Sequence, residues 1–438
     1  MNKLIFLCSP NWGVVDTWMP IINKIKKIDN SCQIELLILK SSMIRLLDLN
    51  SFLIQELTSK VSGVVFVSYT NNLIKCDTLD TVASINKHIF YWPFIKLNNR
   101  GRLKRLFAYP LLMLTKILQF WEKIFLKQGS ILSYRELLDN ISGLLYDIHE
   151  SEKEYYLSFA KHIKGIPKFS IFHGLEIEKH LQTIKLEPIK SNSNSSVYIF
   201  SKKDRKYYKD RFGIDDNRII FSGIPKYDIT WISYIKKYCD NSDMKWENYV
   251  TLISRPSISP YLPIRRKYQA LMAIKELIID KMGKKVVIKI HPKQSDVRIY
   301  FDVLGRETYN IEWCFSNSHP FVLSSKSDFG ISFYSGVVID FLFGSSVPSI
   351  EYLDMVDIPE CDNDLSLRDK KGYPVFGYRF NEVVLGANNY DEFANNVKLI
   401  MNDKEQVVNT LINNFNKVYP RCQHPISTIV TDIRNKIT

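Results

Sequence analysis

Short apolar runs alternate along the chain with segments whose apolar residues recur every three or four positions. Residues 3–8, 33–39 and 63–68 are near-continuous apolar runs of strand length. Between the first two, residues 12–28 follow a Pro10-Asn11-Trp12-Gly13 turn and carry Trp18, Ile21, Ile22 and Ile25 at helical spacing. Strand, glycine-containing turn, helix and strand form a βαβ signature, which predicts a parallel, doubly wound sheet in the opening third. Runs at 143–147, 168–173, 196–200 and 218–222 extend the scheme. The polar stretch 238–248 is the best linker, and a second strand series follows at 249–254, 285–291, 328–332 and 348–351. A helical pattern occupies 265–282, and late helices are expected at 390–401 and 404–417.

The expected architecture is therefore α/β with two Rossmann-like halves, residues 1–238 and 248–405, and a helical tail at 406–438. A length of 438 residues suits two domains. Apolar residues make up 45% and charged residues 24%, which excludes a wholly disordered or fibrous chain. Seven scattered cysteines include no CxxC pair and no zinc spacing, so they read as reduced, mostly buried thiols. No apolar run approaches the roughly 20 residues of a membrane span.

Charge changes the picture more. Fifty-nine Lys+Arg face 46 Asp+Glu, a net +13 that points to an anionic partner. Over half of that surplus falls in 96–127, where Lys96, Arg100, Arg102, Lys104, Arg105, Lys116, Lys123 and Lys127 stand against Glu122. From Pro110, the positions Leu111, Leu114, Leu118, Trp121 and Phe125 form an apolar stripe. This basic amphipathic insertion is expected to lie on an anionic membrane surface or to pack on the sheet behind a charged loop. No nucleic-acid module is recognisable, so nucleic acid is not an expected partner.

Candidate chemistry sits where strands end, the edge at which open α/β sheets bind ligands. Phe172-His173-Gly174-Leu175-Glu176 puts His173 and Glu176 at such an end, with Gly174 allowing a sharp turn. Either side chain could serve as a general base, or His173 as a phosphate ligand or a mere turn residue. Ser222-Gly223-Ile224-Pro225-Lys226-Tyr227-Asp228 reads as a rigid turn with Asp228 as a helix cap. Ile253-Ser254-Arg255-Pro256 offers Arg255, whose guanidinium suits phosphate. Val286-Val287-Ile288-Lys289-Ile290-His291-Pro292 presents Lys289 and His291 at a strand end stopped by Pro292. Tyr334-Ser335-Gly336 precedes a helix carrying Asp340, and its amides with the Ser335 hydroxyl form an anion site. There is no Walker phosphate loop, no GxSxG elbow and no HExxH. Asp362-Asn363-Asp364 spells a DxD metal motif, but in a late acidic loop where it reads as coincidence.

Taken in order, these motifs resemble the CDP-glycerol glycerophosphotransferase family, over roughly residues 168–355. His173-Gly174, Gly223-Ile224-Pro225 with Asp228, His291-Pro292, and Ser335 with Asp340 carry the likeness. Two positions depart from it: Phe333-Tyr334-Ser335-Gly336 lacks an acid and a serine, and Ser254-Arg255-Pro256 replaces Pro-Thr-x-Arg. The pattern is also similar to bacterial sialyl-, polysialyl- and Kdo-transferases that use CMP-sugars, and more weakly to UDP-GlcNAc 2-epimerases.

The resemblance implies the GT-B fold, two Rossmann-like domains facing a central cleft, and an enzyme of surface-polysaccharide assembly. A nucleotide-activated donor, CMP- or CDP-linked, would bind the second domain through Arg255, Lys289, His291, Pro292, Ser335, Gly336 and Asp340. A glycan or lipid-linked glycan acceptor would bind the first, with His173 or Glu176 as the base and His291 aiding departure of the nucleotide. Neither a metal nor a separate cofactor is expected, and the expected place is the cytoplasm or the inner face of the plasma membrane. The alternatives are a UDP-sugar transferase or epimerase on the same fold, and a non-enzymatic GT-B scaffold at the membrane.

Overall fold

The computed structural model describes residues 2–8, 12–39, 51–67, 73–77, 130–148, 165–174, 195–239, 246–258, 261–291, 296–354 and 367–437, with Tyr156, Phe159, His162, Ile163 and Gln294. The basic insertion 96–127, Glu176, Pro292, the Asp362-Asn363-Asp364 loop and most of the linker lie outside the described residues.

Fifteen described strands form two sheets. The first orders β5(Ser130–Leu132), β4(Leu73–Cys76), β3(Gly63–Val67), β2(Gln33–Ile38), β1(Lys3–Leu7), β6(Ile141–Tyr146), β7(Lys168–Ile171), β8(Ser195–Ile199) and β9(Ile219–Phe221). It is parallel except where β4 pairs antiparallel with β3 and β5. The second orders β12(Trp313–Ser316), β11(Val286–Lys289), β10(Tyr249–Ile253), β13(Ser327–Ser332), β14(Ser349–Tyr352) and β15(Leu385–Ala387), and every pairing in it is parallel. Each sheet grows outward in both directions from its first strand, so each has a switch point: β1/β6 in one, β10/β13 in the other.

The apolar runs form these strands because both faces are covered, which strips away the alternation seen in half-exposed sheets. Leu4, Ile5 and Phe6 of β1 are all fully buried, as are Val286, Val287 and Ile288 of β11. The expected strands appear within a residue or two at each end. Strands β4, β5, β12 and β15 were not expected: β4 and β15 are short, and Trp313–Ser316 carries too little β-branched character to stand out. The helix expected at 265–282 begins as α-helix at Ile264–Ile274 and continues as a π-helical stretch through Lys281.

The halves are not independent spheres. One apolar cluster joins Trp18 and Ile22 of the helix Trp12–Ile28 to Trp231 and Ile235 of Ile229–Tyr238, and onward to Phe321 and Val322 of Pro320–Ser325. The chain end returns to the first sheet. Ile429 and Ile433 of Pro425–Ile437 enter that cluster, Tyr198 donates to Asp432 at 2.8 Å, and Lys436 donates to Ser196 at 2.8 Å.

Two glycines hold the strand-end motifs in place for different reasons. Gly223 has φ of 72°, and a Cβ there would lie 2.5 Å from Cys422 Cβ, so both backbone and space demand glycine. Gly174, expected to allow a sharp turn, does not adopt a positive φ. A Cβ at Gly174 would strike the Phe172 ring at 2.7 Å, so its role is to make room for that ring. Among the described residues no helix is long and apolar enough to cross a membrane. Cys8, Cys32, Cys76, Cys239 and Cys314 are buried free thiols.

Candidate functional site

Apart from β4 the strands of each sheet are parallel, so their carboxyl ends lie along one edge of it, and residues leaving the two edges meet directly. Lys226 and Tyr227 follow β9, whereas Asp340 lies in the helix Val337–Ser345 after β13. Lys226 Nζ stands 2.6 Å from Asp340 Oδ1, and Tyr227 donates its hydroxyl to the same oxygen at 2.8 Å. Asp16, in the helix after β1, meets His319, which follows β12. His319 Nδ1 accepts the backbone N–H of Phe321 at 3.2 Å, so the ring turns a protonated Nε2 to Asp16 Oδ1, 3.4 Å away. Lys226 also reaches Asp16 at 3.7 Å. Burial opposes charge on Asp16, but His319 and Lys226 outweigh it and hold the carboxyl below its usual range. Burial likewise opposes charge on Lys226, and Asp340 with Asp16 overcomes it and raises its pKa. Burial and Asp340 push the Tyr227 phenol well up, so it remains a donor. This cluster ties the two halves together.

On the first edge, adjacent strands β6 and β7 bring Asp147 and His173 together. Asp147 is buried and accepts the backbone N–H of His173 at 3.0 Å, and its Oδ2 also engages His173 Nδ1. A carboxylate on Nδ1 fixes the tautomer whose lone pair is on Nε2, the arrangement in which a histidine serves as a base. The His173 side chain is 25% exposed, so the pair is not sealed in the core. A small pocket lined by Phe172, Gly174, Phe200, Asp204, Tyr207 and others lies beside it.

On the second edge, the sheet order β11-β10-β13 sets three sequence-distant strand ends side by side: His291, Arg255 and Tyr334-Ser335. Arg255 and Tyr334 flank the switch point, and the guanidinium lies over the Tyr334 ring, 4.5 Å from its centroid. Arg255 Nε is buried without a hydrogen-bond partner, and no carboxylate among the described residues pairs with this guanidinium. Its loop is pinned from below. Lys267, fully buried, donates to Arg255 O at 2.9 Å and to Asp296 at 2.8 Å, and Asp296 also receives the Ser257 hydroxyl at 2.5 Å. Burial lowers the Lys267 pKa against the pull of Asp296. Tyr334 stacks on Phe376, and Tyr261 meets both rings.

Lys289 donates to Ser318 O at 2.8 Å, His291 is half-buried at the edge, and the Ser335 hydroxyl accepts the Val337 N–H at 3.4 Å. Gly336 starts the helix Val337–Ser345, and a Cβ there would strike the Tyr378 hydroxyl at 2.8 Å. The structure thus gathers Arg255, Lys289, His291, Ser335 and Gly336 on one edge and His173 on the other. Asp340 is engaged by Lys226 and Tyr227 instead of standing open. Asp228 caps the helix Ile229–Tyr238, accepting the Thr230 N–H at 2.9 Å.

The chain matches no protein-family model and no curated protein sequence. Solved structures do match over the whole chain. A protein assigned as a UDP-N-acetylglucosamine 2-epimerase from Listeria monocytogenes aligns with TM-score 0.54 and 12% identity, covering 99% of this chain and 96% of that one. The wall teichoic acid polymerase TagF, solved as a variant soaked with CDPG, gives 0.52 and 11%, covering 100% and 89%. S. aureus MnaA, solved with UDP, gives 0.50 and 11%, covering 99% and 96%. The chain has the GT-B fold.

Within that fold, sequence reasoning missed several members of the site. Asp147 follows a buried strand as a lone acid, and that position was its only signal. Asp16, Lys226, Tyr227 and His319 were invisible as a group because they come from three separate segments. Glu351, at the end of β14, is 1% exposed with Oε1 lacking a partner, and burial pushes its carboxyl up to about 8 although Arg379 pulls the other way. Its apolar surroundings disguised it as part of an ordinary strand.

Proposed function

We propose that this protein is a GT-B transferase that moves a glycosyl or polyol-phosphate unit from a nucleotide-activated donor, of CMP or CDP type, to a cell-surface polysaccharide acceptor. The observation that carries the reading is the Asp147–His173 pair at the carboxyl edge of the first sheet, together with a guanidinium at the carboxyl edge of the second that no carboxylate among the described residues pairs with. Transfer needs both: a base for the acceptor hydroxyl and positive charge for the departing nucleotide phosphate.

In this reading His173 Nε2 takes the acceptor hydroxyl proton while Asp147 holds Nδ1–H and stabilises the cation that forms. The acceptor oxygen bonds to the transferred unit as that unit's bond to the nucleotide phosphate breaks. The electron pair leaves with the phosphate, where Arg255, Lys289, His291 and the amides at Ser335–Gly336 receive it. These cations and amides supply the charge stabilisation that a metal provides in other transferases. A lipid-linked acceptor would bring the protein to the inner membrane face, with 96–127 as the contact. Neutralising Arg100, Arg102, Lys104 and Arg105 should then release it from membranes, and unchanged fractionation would count against that contact.

The test is a panel of CMP-, CDP- and UDP-activated donors scored by thermal stabilisation and by nucleotide release. Cytidine donors should stabilise the protein, and release should depend on His173. Interconversion of a UDP-sugar without any acceptor would replace this reading with an epimerase. Failure of every nucleotide to bind would leave a scaffold.

A further inference from the structure

The helix Ile264–Ile274 buries one stripe against the second sheet: Lys267, Leu271 and Ile274, at helical spacing. Leu271 and Ile274 join the apolar cluster there, whereas Lys267 puts a charge at a fully buried position of the same stripe. A buried ammonium costs free energy that an apolar side chain would not, so its contacts must offset that cost. Those contacts converge on one loop. Lys267 Nζ donates to Arg255 O at 2.9 Å and to Asp296 Oδ2 at 2.8 Å, and lies 5.0 Å from the Tyr300 ring centroid.

The loop is held on both sides of Arg255. Before it, the Ser254 N–H continues the ladder to Lys289 O at 3.0 Å. The Ser254 hydroxyl donates to Gln294 Oε1 at 2.9 Å and also engages the Tyr300 hydroxyl, to which Gln294 Nε2 donates at 2.9 Å. Burial pushes the Tyr300 phenol up to about 12, so it stays a donor. After Arg255, Pro256 fixes its own φ and confines Arg255 to extended backbone. Further on, Asp296 Oδ2 accepts the Ser257 N–H at 3.3 Å and the Ser257 hydroxyl at 2.5 Å. Burial opposes charge on Asp296, but Lys267 and Ser257 outweigh it and hold the carboxyl below its usual range. Between these fixed points the Arg255 carbonyl is held by Lys267, and the guanidinium lies on the Tyr334 ring. Burial raises the Tyr334 phenol, while Arg255 draws it back. The frame leaves Arg255 Nε buried without a hydrogen-bond partner.

We propose that Lys267 is a positioning residue for Arg255: by holding the Arg255 carbonyl it fixes where the guanidinium stands on Tyr334, ready for a phosphate of the nucleotide. This rests on the donor reading of Arg255 and adds to it the group that sets its place. A lysine that served the core alone would change stability and nothing specific to Arg255, and the two roles separate by experiment.

Two measurements on the full chain test it. One is binding of CDP and of inorganic pyrophosphate. The other is the rate at which phenylglyoxal modifies Arg255, read by mass spectrometry with exposed Arg298 as the internal reference. Lys267→Met keeps the stem and removes the donors. It should weaken CDP and pyrophosphate about tenfold and speed modification of Arg255 about fivefold, with Arg298 unchanged. In an Arg255→Ala background the same change should cost no further affinity, because the residue it acts through is gone. An equal tenfold loss in that background, or an unchanged rate at Arg255, would overturn the proposal and leave Lys267 a core residue. Lys267→Met with Asp296→Asn removes both charges together and gives the same two readouts if the single variant folds poorly. If the wild-type protein binds neither CDP nor pyrophosphate, the donor reading fails, and the Arg255 rate still decides the positioning. Nucleotide binding that Lys267→Met leaves intact, with Arg255 modified no faster, sinks the positioning and spares the donor reading.

Discussion

Two regions lie where strands of the two sheets end and differ in how their charges are settled. In one, Asp16, Lys226, Tyr227, His319 and Asp340 satisfy one another across the halves. In the other, Arg255 rests on Tyr334 with its Nε buried and, among the described residues, no carboxylate paired with it. Leaving a guanidinium unneutralised in a half-buried place is costly, whereas the first cluster offsets its own desolvation. The settled region ties a loop of the first sheet to a helix of the second through Lys226, Tyr227 and Asp340. In the proposed reading, the other receives a charge that arrives from outside. Both use residues from strand ends, so position in the fold does not distinguish them; the presence or absence of partners does.

The largest expected effect strikes the catalytic proposal. His173→Ala should lower transfer about 10³-fold while nucleotide-induced stabilisation persists. Asp147→Asn should lower it too, with a displaced pH profile, because Asn cannot favour the same tautomer. Loss of nucleotide binding in either variant would show that the pair belongs to the donor site instead.

The settled region is broken next. Lys226→Met strands Asp340 and Asp16 in a buried setting and should cost about 3 kcal/mol of stability, read by denaturant unfolding. Pairing it with Asp340→Asn should restore part of that loss. A neutral outcome for Lys226→Met would mean that the cluster does not hold the halves together.

Glu351 supplies a pH test. Its folded pKa, about 8, lies above the ordinary 4.5, so the folded protein holds a proton that the unfolded chain has released. Stability should therefore fall as pH rises between those values, by on the order of 1 kcal/mol per pH unit, and level off above. Glu351→Gln should flatten that slope, and identical slopes in melting curves at pH 5 and pH 8 would refute the buried neutral acid.

The smallest effect sharpens the unsettled region. Arg255→Lys keeps the charge but loses the flat fork and its stacking on Tyr334, and should weaken nucleotide binding about tenfold. Full affinity in the lysine variant would make Arg255 a point charge with no geometric role.

Much of the fold was legible because buried parallel strands need apolar residues on both faces, and that need writes long runs such as Val286–Lys289. Short strands at the sheet margins, such as Leu385–Ala387, need few contacts and leave little trace. The residues at the carboxyl edge of the second sheet were legible for the same reason as the strands, since a run that stops at Arg255 or His291 marks its own carboxyl end. Asp147 was at such an end but had no visible partner, because its histidine lies 26 residues away.

The sequence by itself determined two α/β halves, the order of their strands along the chain and the residues that leave each strand. Only the tertiary structure decided which strands are neighbours, and so which of those residues meet. Sheet order put His291, Arg255 and Ser335 side by side and paired Asp147 with His173. The packing of one half on the other gave Asp340 to Lys226 and Tyr227, and His319 to Asp16. Periodicity is a local property and survives in one dimension. The settling of a charge depends on what stands within a few ångströms, and chain order does not record that.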